Sequence, residues 1–452
     1  MILEKNSSDV ESNSDLEKLN PEAKAIVTHF SSNQDLRKKN PYRKPYESLG
    51  LKSNEVPKPK KPSTFKFIDL FAGIGGFRTA LQNLDGRCMF TSEWDLNAKK
   101  SYYNNYGEYP FGDITKPEVK SYIPEGFDAL CAGFPCQPFS KGGYRNGFED
   151  TRGTLFFDIC EIVQKHQPKY LLLENVANMV THDKGNTYKV ILKSLDELGY
   201  YFPDEPLLLS PDAFGVPILR PRIFIPCVRK DVANGNIDKI KQFKNEIAPR
   251  FISRMQAVDD ILNPDLPADL PEYEERVLGM WDAFYKGIDL KVIGFPIWME
   301  FFKYEGALDE FPLWKAKFIQ KNIDLYNRNK EFIDSWLFEY DNLEWCIKTH
   351  RKMEWQAGKD ISSVFEGLIQ FRPSGVRVKR PNRFSTLVAM NHQQIIGKYR
   401  RRITIDESKK LQSFPDDFKL SSTKGIALKQ LGNSVNVKVV ETIFDVILKN
   451  FA

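Results

Sequence analysis

A cysteine held between prolines is the first residue that could do chemistry. The stretch Gly133-Phe134-Pro135-Cys136-Gln137-Pro138-Phe139-Ser140 follows a short apolar segment, Ala129 to Ala132. A thiol on a rigid loop after a strand sits where α/β sheets bind ligands, so Cys136 is a candidate thiolate nucleophile. The competing reading is a small buried hydrophobe. Leu171-Leu172-Leu173-Glu174-Asn175-Val176 ends another apolar segment in a carboxylic acid. Such an acid becomes a proton donor when its pKa is raised. In Asp69-Leu70-Phe71-Ala72-Gly73-Ile74-Gly75-Gly76, glycines between a strand and a helix let a ligand approach the backbone. The spacing is not Gly-x-Gly-x-x-Gly, and a plain tight turn explains it equally well. Glu93 lies roughly 20 residues on, where a carboxylate accepts hydrogen bonds from ribose hydroxyls. Asp113, in Phe111-Gly112-Asp113-Ile114, could bind an adenine amino group, and Trp94 offers a stacking face.

The elements that must position these residues follow from the pattern. Phe65 to Phe71, Met89 to Ser92, Ala129 to Ala132, Tyr170 to Leu173 and Ile223 to Val228 read as strands, and a further strand is expected just before Asp113. Helical patterns begin at Phe77, Leu155 and Thr187. Strands alternating with helices predict an α/β fold with a doubly wound, mostly parallel sheet. After Asp231 the alternation stops, and residues 231 to about 370 hold six of the seven tryptophans, which marks a second, smaller domain. Residues 1–62 are polar, then rich in Pro and Lys, and read as a flexible tail.

Composition excludes several classes. The 452 residues are 41% hydrophobic and 28% charged, the balance of a globular protein. No apolar run is long enough to span a membrane. The six cysteines form no Cys-x-x-Cys pair, so neither a zinc site nor a disulfide scaffold is expected, and the setting reads as cytoplasmic. The net charge of +5 says little alone. Its distribution says more: Arg372, Arg377, Lys379, Arg380, Arg383, Lys398, Arg400, Arg401 and Arg402 run without an intervening acid. Such a stretch suits a polyanion.

Phe71-Ala72-Gly73-Ile74-Gly75-Gly76, Pro135-Cys136-Gln137, Glu174-Asn175-Val176, Arg220-Pro221-Arg222 and Gly432-Asn433-Ser434-Val435 occur in that order. With the loop Gly147-Phe148-Glu149-Asp150-Thr151-Arg152-Gly153-Thr154-Leu155, the set resembles the DNA (cytosine-5)-methyltransferase family of the bacterial restriction–modification type. The resemblance covers about 64–229 and 400–452. It implies a methyltransferase fold that binds S-adenosylmethionine and methylates C5 of a cytosine flipped out of duplex DNA. It also implies a partner restriction endonuclease of the same specificity and a cytoplasmic, nucleoid-associated setting.

By the same resemblance Cys136 would add to C6 of the ring, Glu174 would hold and protonate N3, and Arg222 and Arg220 would bind the cytosine carbonyl or its phosphate. Phe71, Gly73, Ile74, Gly75, Glu93, Trp94, Asp113, Pro135, Leu155, Asn433 and Val435 would form the cofactor pocket. Asn433 lies near the C-terminus, so the last helix is expected to return beside the first strand. Ser140, Lys141 and Arg145 would contact DNA from a closing loop, and Arg372, Arg377, Arg380, Arg400, Arg401 and Arg402 from the basic stretch. His392 and Gln393 are candidate base readers. The implied domains are 63–230 with 425–452 for catalysis and cofactor, and 231–424 for target recognition. One departure is Ile218, where the family usually has Gln two positions before the first arginine. Two other readings remain: the tRNA-methylating branch, whose Cys-Phe-Thr tripeptide is missing here, and a catalytically silent DNA-binding protein.

Overall fold

The computed structural model describes residues 63–135, 155–289, 294–387 and 393–452. Cys136, Ser140, Lys141, Arg145 and His392 lie outside the described residues. The described chain forms two compact units, crossing between them at 216/217, 219/220, 255/256 and 408/409. The sequence put the changes of character near 230 and 424.

The first unit is built on a seven-stranded sheet. Its strands are β1 (Phe65–Leu70), β2 (Gly86–Ser92), β3 (Ala129–Gly133), β4 (Tyr170–Val176), β5 (Tyr200–Tyr201), β6 (Leu207–Leu209) and β8 (Arg222–Arg229). The intervening β7 (Ile218–Leu219) belongs to the second unit. The order is β2-β1-β3-β4-β8-β5, with β6 also on β8. β1 to β4 pair in parallel, whereas β8 runs antiparallel to β4, β5 and β6. β1 and β4 are buried at most positions on both faces, as strands inside a parallel sheet are. The strand expected before Asp113 does not form: Phe111 makes a single bridge to Ser92. Glycine, proline and polar residues around Phe111 leave too short an apolar run for a strand.

Helix α1 (Gly76–Asn83) follows β1, and α2 (Leu96–Tyr106) follows β2. The Asp95 side chain caps α2 by accepting from the N–H groups of Asn97 and Ala98. Gly107, with φ of 64°, ends it. α3 (Leu155–His166) and α4 (Asn186–Glu197) flank β4 in the chain. The C-terminal helix α5 (Val437–Phe451) buries Val439, Val440, Ile443, Phe444 and Ile447, a helical stripe. Phe444 lies 5.1 Å from Phe65 of β1 between ring centroids, and Tyr170 of β4 donates to the Phe451 carbonyl at 2.8 Å. The last helix therefore packs beside the first strand.

The second unit holds a six-stranded sheet in the order β15 (Arg401–Arg402), β14 (Ile395–Ile396), β11 (Leu368–Arg372), β12 (Gly375–Lys379), β10 (Lys352–Gln356) and β9 (Ile297–Trp298). Helices Glu272–Gly287, Leu313–Arg328 and Lys330–Glu339 accompany it. Trp281, Trp336 and Trp355 are buried in one apolar cluster with Phe284 and Tyr285. The tryptophan-rich composition is largely a core.

Candidate active site

Parallel pairing brings the C-terminal ends of β1 to β4 to one sheet edge, with Leu70 opposite Ser92 and Ala132, and Gly133 opposite Glu174. β8 arrives antiparallel, so its first residue, Arg222, lies opposite Val176 at that edge. The Arg222 Nε atom is 3.1 Å from Glu174 Oε1, and both side chains are mostly buried. Burial raises the Glu174 pKa against the opposing pull of Arg222 and Arg220. The group is thus biased toward its acid form and stays near a guanidinium. A Cβ on Gly133 would sit 3.4 Å from Glu174 Oε2. Asn175 Nδ2 donates to the Phe134 carbonyl at 2.8 Å. The segment leading into Pro135 and Cys136 therefore starts beside Glu174.

Arg220 differs from expectation. Its Nη2 donates to the carbonyls of Gly432 and Ser434 at 2.7 and 2.8 Å, and the side chain is buried. Burial, then Arg222, pushes its pKa down to about 9. The guanidinium is tied to the C-terminal segment while still close enough to Glu174 to pull on its pKa. Ile218 is fully buried and pairs with Phe384, so an apolar contact stands where a polar one was expected.

The turn after β1 takes left-handed backbone at Phe71 (φ 55°), Gly73 (φ 57°) and Gly75 (φ 92°). For Phe71 this costs on the order of 1–2 kcal/mol, a strain typical of functional turns. Glu93 holds the turn: Oε2 accepts from Gly73 N at 2.7 Å, while Oε1 accepts from Trp94 N and Asp95 N at 2.8 and 2.7 Å. Burial raises its pKa despite these three donors. Ile74 is buried, so its backbone alone serves the turn. A Cβ on Gly73 would meet nothing within 4 Å, which leaves room for a ligand. Trp94, next to Glu93 in the chain, is 68% exposed. Phe111 donates to and accepts from the β2 end, tying the Asp113 segment to Glu93, and Asp113 Oδ1 accepts from Thr115 N at 2.9 Å. A Cβ on Gly76 would lie 2.7 Å from Val435 Cγ2 and 2.8 Å from Ser434 Oγ, so Ser434 and Val435 border the same turn. Pro135 is exposed and Leu155 half-buried at the start of α3. An open glycine backbone, a carboxylate beside it and an exposed indole fit a nucleoside-bearing cofactor.

A buried polar layer behind the turn was not read from the sequence. Asp69 is fully buried, and burial drives its pKa well up against the pull of Arg78. Arg78 Nη1 lies 2.6 Å from Glu108 Oε2 and 3.1 Å from Tyr102 Oη. The available signal was a charged residue on the apolar face of α1, between Phe77 and Ala80.

The basic stretch is largely neutralised in space. Arg377 and Arg372 lie near Glu354, Arg380 pairs with Asp360, Lys398 with Asp259, Arg400 with Glu275 and Arg402 with Glu274. Arg401 is buried, bonded to both oxygens of Glu407 at 3.0 and 2.7 Å, and so cannot meet a phosphate as expected. Acids outside the 372–402 stretch supply these partners, which a charge count within it misses. Gln393 Nε2 donates to the Ile403 carbonyl at 2.7 Å, a local bond within this unit.

Residues 65–449 match the family described as C-5 cytosine-specific DNA methylase. The chain is 35% identical over 430 residues to the type II methyltransferase M.BanI of Aneurinibacillus aneurinilyticus, covering 85% of this chain and 96% of that one. It is 54% identical over 192 residues to M.HpaII of Haemophilus parainfluenzae, a match spanning 41% of this chain and only 53% of that enzyme. Among solved structures, the Dnmt2 methyltransferase of S. pombe is 18% identical with a TM-score of 0.45, covering 85% of this chain and 98% of that one. On the extent of the family match, the chain belongs to the C-5 cytosine-specific DNA methylase family.

Proposed function

We propose that this protein transfers a methyl group from S-adenosylmethionine to C5 of a cytosine flipped out of duplex DNA. The setting we infer is a type II restriction–modification system, beside an endonuclease of the same specificity. The observation that carries the reading is the Glu174–Arg222 pair at the sheet edge, next to the segment that enters Pro135-Cys136. Cytosine C5 is a poor nucleophile until C6 is occupied. The Cys136 thiolate forms an S–C6 bond, Glu174 hands a proton to N3, and the electron pair becomes available at C5. The cofactor supplies an electrophilic methyl group to that carbon. Loss of the C5 proton, departure of the thiolate and return of the N3 proton to Glu174 then restore the ring. Arg222 meets charge gathering on the C2 carbonyl and keeps Glu174 oriented. Phe71, the backbone at Gly73 and Gly75, Glu93, Asp113 and Val435 form the cofactor surface. Sequence choice is assigned to the second unit.

A duplex carrying 5-fluorocytosine, which has no C5 proton to lose, tests the covalent step. With S-adenosylmethionine present, the protein should form a denaturation-resistant adduct, and Cys136→Ala should form none while still binding cofactor and DNA. Lack of any adduct with the wild-type chain, or turnover of Cys136→Ala within tenfold of wild type, overturns the mechanism. The same assay run on tRNA separates the two branches of the fold.

A further inference from the structure

The carbonyl of Gly75 is held from behind. It accepts from Thr79 N at 2.9 Å, as the first bond of α1 requires. It also lies 3.1 Å from Thr79 Oγ1 and 2.8 Å from Tyr106 Oη, and the two hydroxyls are 2.6 Å apart. Two hydroxyl protons thus serve three contacts around one oxygen. The Tyr106 ring occupies the space a side chain at position 75 would need, with Cε2 2.5 Å from an added Cβ. Tyr106 is itself immobilised: it is buried, it stacks under the Arg78 guanidinium at 4.5 Å, and Arg78 is anchored by Glu108. Tyr106 is also the last residue of α2, whose chain begins just after Glu93. Glu93 grips Gly73 from one side of the turn and Tyr106 grips Gly75 from the other.

In a trans peptide the N–H of Gly76 points opposite to the C=O of Gly75. Fixing that oxygen therefore fixes the opposite aim of the Gly76 N–H, the first of α1. We propose that Tyr106 is a positioning residue, whose hydroxyl sets the 75–76 peptide in the orientation that receives the cofactor. The inference rests on the S-adenosylmethionine reading above. Tyr106 touches no substrate and acts through the turn.

Tyr106→Phe keeps the ring and removes the hydroxyl; Thr79→Val removes the second one at nearly constant volume. Calorimetry with S-adenosylmethionine on the full chain should show about five- to tenfold weaker binding for Tyr106→Phe, the size of one neutral hydrogen bond. KM for the cofactor should rise in parallel while kcat at saturation stays within about twofold, and DNA affinity should hold. The double variant should lose less than the product of the single losses, because the two hydroxyls also bond each other and removing either disturbs both. Cofactor affinity of Tyr106→Phe within twofold of a wild-type protein that does bind overturns the proposal. A lowered thermal midpoint with KM unchanged also overturns it, since that is a purely structural role. Failure of the wild-type chain to bind overturns the cofactor reading itself.

Discussion

Glu174 shows how one residue acquires a function from its surroundings. Burial raises its pKa more than Arg222 and Arg220 lower it. In the proposed reaction the protonated form delivers the proton to N3. Its population falls as pH rises through the raised pKa, so the rate of methyl transfer should fall on that limb. Removing Arg222 takes away a group that favours the carboxylate, so Arg222→Ala should move the limb to higher pH. The sign for stability is separate. A carboxyl whose folded pKa exceeds its unfolded value contributes stability below the unfolded pKa, and that contribution is lost as pH rises through the folded pKa. Above the unfolded pKa the raised value therefore opposes folding. Glu174→Gln should cut kcat by about 10²–10⁴-fold, flatten the alkaline limb, and leave the thermal midpoint at pH 7 unchanged or higher. A pH–rate profile and thermal melts check this. A clear drop in midpoint for Glu174→Gln would mean that its ion pair outweighs its desolvation.

At the scale of elements, the junction between α1 and the C-terminal segment is the sharpest constraint. Gly76 has no room for a Cβ, because Val435 Cγ2, Ser434 Oγ and the Val435 carbonyl lie within 3.2 Å of the position one would take. Gly76→Val should push the 432–435 segment away and cost about 1–3 kcal/mol of stability. It should also weaken cofactor binding, whereas Phe444→Ala should cost about 3–5 kcal/mol through its cavity and spare cofactor affinity in the folded fraction. Denaturant melts paired with calorimetry would separate the two, and equal cofactor affinity for Gly76→Val and wild type would count against the junction's role. These elements were legible to different degrees. The strands at 65, 129 and 170 and the helices after them stand in the sequence as apolar runs and helical stripes, because burial on both faces leaves little freedom of composition. The antiparallel sense of β8 was not legible, since direction depends on how the chain returns to the sheet. The absence of a strand at Asp113 was missed for the opposite reason: the expectation came from alternation, while the local residues favour a turn. The Tyr106–Gly75 and Arg220–Gly432 contacts join residues 31 and 212 positions apart, and no periodicity announces them.

At the scale of the whole chain, charge summed along the sequence and charge arranged in space disagree. The basic stretch is matched by Glu274, Glu275, Glu354, Asp360 and Glu407, so its field is weaker than nine uninterrupted cations suggest. The members differ in kind. Arg401 and Glu407 are both buried, and Glu407 also accepts from the N–H groups of Asn263 and Thr404, so the pair ties the 401–407 segment to Asn263. Breaking such a pair leaves an uncompensated charge and costs about 3–5 kcal/mol. Arg380 and Arg400 are roughly half exposed in surface pairs worth no more than about 1 kcal/mol, and their guanidinium groups are the ones able to exchange an acid for a phosphate. Arg401→Ala should therefore lower the unfolding midpoint and DNA binding together, whereas Arg380→Ala and Arg400→Ala should leave the melt nearly unchanged. If those two reach DNA, each should reduce the slope of log affinity against log salt by about 1, equally for all sequences. Melting curves and salt titrations on one cognate and one unrelated duplex provide the check. A stable Arg401→Ala would remove the structural reading of the buried pair. Unchanged slopes for both surface variants would move the phosphate contacts off this stretch and onto other cations of the chain.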